Sequence, residues 1–349
     1  MRNLLSLAFM LCSVLPLLAD SIARPVDNSW KQYLPTLNAT FKGKYEVLTD
    51  GDDAGASRFQ VRNMRVSIAG DILPALLSYR AEVDLCASGK ISMLDAWGCF
   101  AIPATGLSVT AGQMRVPYTI DSHRAPHKQV FANRSWVAKY GGTKRDVGVT
   151  LAWTLPVAVP TTLQGGLFNG SGIDGQGGYW TRTYEFAVKA QTTLCRRYTF
   201  EASCLHTRPD GIGITAWNAG FAYDDALWHL EGEYVAKCYR HGAFEPVNIV
   251  NAFAVRRFPL GGKVLTGVSA LARYDYMGSY SNGRRNDDGL LYTTESRRQR
   301  LTAGSTLILG RGAHYAEVRL NYEQYFYPSG AIKKPGDTSK FVAELMIRF

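Results

Sequence analysis

Leu77-Ser78-Tyr79-Arg80-Ala81-Glu82-Val83-Asp84-Leu85-Cys86 is the stretch on which the fold turns. Leu77, Tyr79, Ala81, Val83 and Leu85 alternate with Ser78, Arg80, Glu82, Asp84 and Cys86. A period of two places these sets on opposite faces of a β-strand, one greasy and one wet. The pattern returns near the C-terminus, where Ala316, Val318, Leu320, Tyr322 and Phe326 alternate with Tyr315, Glu317, Arg319, Asn321 and Glu323. It closes the chain as well, with Phe341, Ala343, Leu345, Ile347 and Phe349 set against Lys340, Glu344 and Arg348.

The alternation predicts about sixteen strands. They fall near residues 36–48, 58–70, 75–87, 90–101, 106–116, 145–155, 160–168 and 180–192. The second half falls near 196–206, 213–224, 226–237, 245–257, 262–276, 297–309, 312–326 and 338–349. The connections alternate in kind. Tight turns such as 71–74, 103–106, 156–159, 224–225, 259–262 and 310–311 are separated by long polar loops at 50–57, 169–179, 277–296 and 327–337. Short turns at one end and long loops at the other characterise a transmembrane antiparallel β-barrel, whose closure gives every backbone amide in lipid a partner. Sixteen strands of about 11 residues with their connections come to roughly 320 residues, which fits the 349 of the chain.

The competing architecture is a soluble β-sandwich, which alternates in the same way. The aromatic residues favour the barrel. Tyr79, Trp153, Trp180, Tyr184, Tyr198, Trp228, Tyr274, Tyr322, Phe326 and Phe349 cluster near strand ends, where interfacial girdles sit. A charged fraction of 19% is low, and 46% hydrophobic residues argue against disorder. A polytopic helical membrane protein is excluded, because only the N-terminus approaches the length of a spanning helix.

That N-terminal stretch reads as an export signal. Arg2 precedes an apolar run from Leu4 to Ala19 that is broken by Ser6, Ser13 and Pro16. The expected organisation is a signal peptide over 1–19, cleaved after Ala19 or Ala23, a lead-in over 20–35 and a barrel over 36–349. Cys86, Cys99, Cys195, Cys204 and Cys238 then remain. An odd number without a CxxC pair fits neither a disulfide framework nor a zinc knuckle, so most are expected to be small apolar fillers.

One connection differs from the rest. Residues 117–144 carry Arg124, Lys128, Arg134, Lys139 and Lys144 against Asp121, a local net of +4. Tyr118, Val130, Phe131, Trp136, Val137 and Tyr140 are interleaved, so the segment is able to pack. In a wide barrel such an insert is expected to fold inward and narrow the pore. Arg115, Arg124, Lys128, Arg134, Lys139 and Lys144 are therefore the candidate constriction and anion-binding residues. Arg115 has an ambiguous parity: Leu107, Val109 and Ala111 face lipid, and only a bulge or a position above the membrane would turn it inward. Arg80, Glu82, Asp84, Glu317, Arg319 and Arg348 are expected to face the lumen. On the polar faces of the six clearest strands seven basic and nine acidic residues give −2, so the wall is near neutral and selectivity falls to the insert.

Six blocks carry a further resemblance. Phe59-Gln60-Val61-Arg62-Asn63-Met64-Arg65-Val66, Met93-Leu94-Asp95-Ala96-Trp97 and Gly112-Gln113-Met114-Arg115-Val116-Pro117-Tyr118 are similar to the phosphate-selective porin O/P family. So are Phe131-Ala132-Asn133-Arg134-Ser135, Arg145-Asp146-Val147-Gly148-Val149 and Gly166-Leu167-Phe168-Asn169-Gly170-Ser171-Gly172, in the same order. Terminal Phe349 on an alternating strand is similar to the recognition signal of outer-membrane barrels. The resemblance implies a sixteen-stranded, trimeric outer-membrane porin whose third extracellular loop, here 117–144, enters the pore. It also implies conduction of anions, with small hydrophilic solutes, outer-membrane lipid and lipopolysaccharide as partners, both termini in the periplasm and no cofactor. Members selecting phosphate carry an arginine ladder on the wall, which the −2 balance does not display.

Other functions were weighed on the residues. A barrel enzyme needs a nucleophile and base, or a carboxylate–histidine set, at one rim. His123 and His127 have HxxxH spacing, but no third metal ligand is evident and Pro126 opposes the helix. The glycine-rich stretch 165–178 joins two strands rather than a strand and a helix, so it is not a nucleotide-phosphate loop. No catalytic residue is assigned. A non-selective general porin and a structural or adhesive barrel are the alternatives to an anion-leaning channel.

Overall fold

The computed structural model describes residues 33–349 apart from Ser88, Gly175, Lys334 and Pro335. The expected signal peptide and nearly all of the lead-in lie outside the described residues. The strands are β1 (Thr36–Leu48), β2 (Ser57–Leu73), β3 (Leu77–Ala87), β4 (Lys90–Ile102), β5 (Leu107–Arg115) and β6 (Arg145–Thr154). There follow β7 (Thr161–Phe168), β8 (Glu185–Leu194), β9 (Tyr198–Thr207), β10 (Ile214–Asp224) and β11 (Trp228–Tyr239). The last are β12 (Val247–Pro259), β13 (Leu265–Met277), β14 (Arg298–Arg311), β15 (His314–Phe326) and β16 (Lys340–Arg348).

Each strand pairs with its neighbours in sequence, antiparallel, and β1 pairs with β16 from Thr40↔Arg348 to Leu48↔Lys340. The sheet therefore closes into a sixteen-stranded barrel with no free edge. The strands match the sequence reading to within about three residues, except at β8. There the ladder starts at Glu185 rather than near 180. The Thr181 hydroxyl accepts from the Thr183 N–H (3.0 Å) and donates to the Thr183 carbonyl (2.6 Å), a local turn that diverts the chain from pairing.

Alternation sorts the wall into two faces. In β8, Glu185, Ala187 and Lys189 are buried while Phe186 and Val188 are about half exposed. Trp153, Tyr198, Trp228, Tyr274, Tyr322 and Phe326 all stand on exposed positions, as a girdle requires. The inner face is cross-braced by ion pairs. Arg319 bonds Glu344 (2.8 Å) and Glu317 (2.5 Å), and Lys42 lies 3.0 Å from the same Glu344. Such pairs satisfy charge away from bulk water but cancel in the far field.

β2 departs from strict alternation. Lys42 pairs with Asn63 but Gly43 with Val61, so Arg62 is an extra residue, a β-bulge. The five cysteines among the described residues are free; of these only Cys204 is buried, and Cys195 and Cys238 are exposed, so the filler reading fits Cys204 and not those two.

Candidate functional site

The segment between β5 and β6 is locally ordered. Short 3-10 turns occupy Asp121–His123 and Pro126–Lys128, and a helix, α1, spans Trp136–Tyr140. Ser135 caps α1, its Oγ accepting the Ala138 N–H at 3.1 Å. The segment leaves the wall between β5 and β6 and hydrogen-bonds to polar-face side chains of β11 and of the nearby strands β14, β15 and β1, at least four strands away round the barrel. Glu233 on β11 accepts the N–H groups of Ile120 (2.6 Å) and Asp121 (3.0 Å). Lys42 and Lys44 on β1 donate to Gln129 (2.8 Å) and Asn133 (3.0 Å). Asn321 on β15 accepts the Ala132 N–H (2.9 Å), and Arg300 on β14 donates to the Arg134 carbonyl (2.9 Å).

Apolar packing supports these bonds. Tyr118, Trp136 and Val137 are buried in one cluster with Leu205, Ile214, Val235, Ile249 and Met277 of β9–β13. Arg298 and Arg300 lie 5.0 and 5.2 Å from the Trp136 ring. Burying an indole of this kind contributes about 4 kcal/mol by area. His123 is fastened too, its Nε2 2.6 Å from the Val116 carbonyl. Burial, then the nearby Lys189, pushes its imidazole down to about 3, so it is neutral.

Beside the segment lies a cavity of about 770 Å³. Ten basic side chains line it: Lys44, Arg58, Arg62, Arg65, Arg134, Lys139, Lys144, Arg145, Arg300 and Lys340. Only three acids, Glu46, Asp84 and Asp337, do so. Several cations are matched: Arg145 bonds Asp95 (2.6 Å), Arg65 bonds Glu82 (3.1 Å), and Arg58 bonds Glu46 (2.6 Å). Among the described residues Arg62, Arg134 and Lys144 form no close ion pair, although Asp121 lies near enough to Arg134 to favour its charge. Burial, and next the neighbouring Arg134 and Lys139, push Lys144 down to about 8. Burial, followed by Arg65, also lowers Arg134. Like charges held together in a recess with few counter-ions favour an anion.

The cavity brings together three of the six candidate constriction residues: Arg134, Lys139 and Lys144. Lys139 also approaches Asp337 (3.9 Å). Arg115 points to the segment, donating to the Ser122 carbonyl (3.2 Å) rather than facing lipid. The break in parity follows Gly112, whose φ of +128° glycine alone adopts readily. Arg124 is neutralised by Asp121 (2.8 Å) and by Glu231 and acts as a fastening. Lys128 is exposed on a turn that packs beside β1 and β16, away from the cavity lining. Glu82, Asp84 and Arg319 are buried on the inner face, and Arg80 bonds Glu82 (2.5 Å). Glu317 braces Arg319, and Arg348 donates to Asn38 (3.4 Å).

Residue reading missed the wall's share of this charge. Arg58, Arg62 and Arg65 on β2 and Lys44 on β1 belong to the cavity, yet neither strand entered the charge balance. The bulge is the reason: strict alternation cannot put both Arg62 and Arg65 on the inner side. The signal was the run Arg62-Asn63-Met64-Arg65, where period two falters.

The sequence matches no family model and no curated protein. Its fold, however, is shared with solved structures. OprB of Pseudomonas putida superposes with a TM-score of 0.64 at 10% identity, covering 91% of this chain and 94% of that one. An anion-selective porin from Comamonas acidovorans gives 0.61 at 10%, covering 90% and 98%. OmpT, an outer membrane protein of Vibrio cholerae in its trimer form, gives 0.55 at 9%, covering 90% and 98%. The chain thus has the closed sixteen-stranded barrel fold that porins adopt.

Proposed function

We propose that this chain is a passive, water-filled channel of the Gram-negative outer membrane that admits small hydrophilic solutes and leans towards anions. In this reading residues 117–144 lie across the lumen as its constriction. Their bonds to β1, β11, β14 and β15, each at least four strands round the barrel from β5 and β6, support that position. The observation that carries the anion preference is the cavity with ten basic and three acidic side chains, three of its cations forming no close ion pair among the described residues. Paired charges on the wall act as short-range dipoles, so these unpaired cations dominate the field that a passing ion meets. Phosphate or polyphosphate is the solute class to which the O/P resemblance points.

The chain ends support periplasmic termini, because β1 begins and β16 ends at the short-turn rim. A homotrimer set among outer-membrane lipid and lipopolysaccharide is the corresponding assembly. The reading is tested in planar bilayers under a KCl gradient, with phosphate then titrated against the chloride current. An anionic reversal potential with block by phosphate is expected. A reversal potential of cationic sign refutes the anion preference, one near zero identifies a general porin, and absent conductance leaves an adhesive or structural barrel.

A further inference from the structure

The rim formed by the short turns is uneven in charge. Between β8 and β15 it carries Arg196, Arg197, Arg256, Arg257, Lys263 and Arg311. Its two acids are engaged: Asp224 pairs with Arg257 (2.6 Å), and Asp225 accepts from the Tyr223 hydroxyl (2.6 Å) and the Trp228 N–H (2.6 Å). Between β2 and β7, by contrast, turns 74–76, 103–106 and 155–160 hold no charged residue, and the adjoining strand ends add only Asp71 and Arg80.

Arg256 occupies an unusual place on this rim. Its neighbour Arg257 is bonded to Asp224 and His229, and alternation turns Arg256 to the outer wall. It lies directly across from Trp228 in the ladder, with its guanidinium carbon 5.0 Å from that ring and 5.7 Å from Phe258. Both rings are exposed. Among the described residues no carboxylate pairs with Arg256, and it donates no hydrogen bond. Stacked rings cover the face of a guanidinium and leave its N–H edge available. An arginine held at an aromatic girdle with its edge unused matches a phosphate at headgroup depth.

We propose that Arg256, steadied by Trp228 and Phe258 and joined by Lys263 of the following turn, binds the phosphate of an anionic phospholipid headgroup in the periplasmic leaflet. The site rests on the reading of the chain as a membrane-spanning barrel. Of the other arginines on this arc, Arg257 is paired with Asp224 and Arg311 donates to the Leu260 carbonyl (3.2 Å), whereas Arg256 is the one held between two exposed aromatic rings.

Native mass spectrometry of the detergent-extracted barrel, exposed to phosphatidylglycerol or phosphatidylcholine of equal chain length, tests it. Preferential retention of phosphatidylglycerol is expected, falling roughly tenfold in an Arg256→Gln, Lys263→Gln variant. Arg256→Lys, which keeps the charge but loses the planar fork, should retain an intermediate amount. Equal retention of both lipids, or an unaltered double variant, overturns the site. An equal loss from Arg196→Gln, Arg197→Gln overturns it too, since diffuse rim charge would then suffice. Displacement of the lipid by millimolar inorganic phosphate would assign the site to a free anion instead. Bilayer insertion separates the two levels: channels without lipid preference refute this site alone, whereas failure of the wild-type chain to insert refutes the membrane-spanning reading beneath it.

Discussion

Lys144→Glu is the perturbation that tests the cavity most directly. Lys144 lines the cavity and has no counter-ion there, so its replacement removes an uncompensated charge without orphaning a partner. Two unit charges about 6 Å apart in water interact by about 0.7 kcal/mol. Screening at about 0.1 M salt reduces this to about 0.4 kcal/mol. The substitution changes the local charge by two units, so a passing anion loses about 0.8 kcal/mol and a cation gains the same. Each amounts to about a fourfold change in partition, and the anion-to-cation permeability ratio should fall on the order of tenfold. The ratio is read from the zero-current potential of single channels in asymmetric KCl. Glu317→Gln provides the control, because Glu317 is braced against Arg319 at 2.5 Å and does not line the cavity. A ratio that moves less than twofold in a channel of normal conductance refutes the reasoning. So does an equal shift in the control, which would assign selectivity to the wall as a whole.

Three further outcomes are expected. Lys144, held near 8, loses its proton as pH rises from 7 to 9.5, so the anion preference should weaken over that interval and stay flat in Lys144→Gln; matching profiles would exclude Lys144 as the titrating group. Gly112→Ala would set a Cβ 2.3 Å from the Ala96 carbonyl oxygen at a φ of +128°, costing about 1–3 kcal/mol from backbone strain alone. An unchanged denaturant midpoint for the detergent-refolded barrel would contradict that cost. Glu233→Ala strips the carboxylate from the N–H groups of Ile120 and Asp121, at about 1–3 kcal/mol for each donor left buried. Current noise should rise while selectivity persists, because Arg134 remains bonded to Arg300 at the far anchor; quiet traces would mean that Glu233 does not fasten the segment.

Much of the fold was legible because strands obey a local rule. The face to which a side chain points depends on the parity of its position, so Leu77–Cys86 and the final strand could be read residue by residue. The site was legible only in part. Arg134 and Lys144 stood out by their density in one long insert, and both line the cavity. Arg124 stood out for the same reason, yet Glu231, 107 positions away, cancels it. Composition registers a charge but not its counter-ion.

By itself, then, the amino-acid order determined the strand count, the two faces and the girdle, because each depends on neighbours one or two positions apart. Closure of β1 on β16 and the burial of Trp136 among residues of β9–β13 belong to the tertiary structure. So does the gathering of Arg62, Arg134 and Lys144 around one cavity. Those features join residues tens to hundreds of positions apart. At β2 they also depend on a one-residue bulge, which reverses the parity; the run Arg62–Arg65 marks where period two falters but not which side chains turn inward.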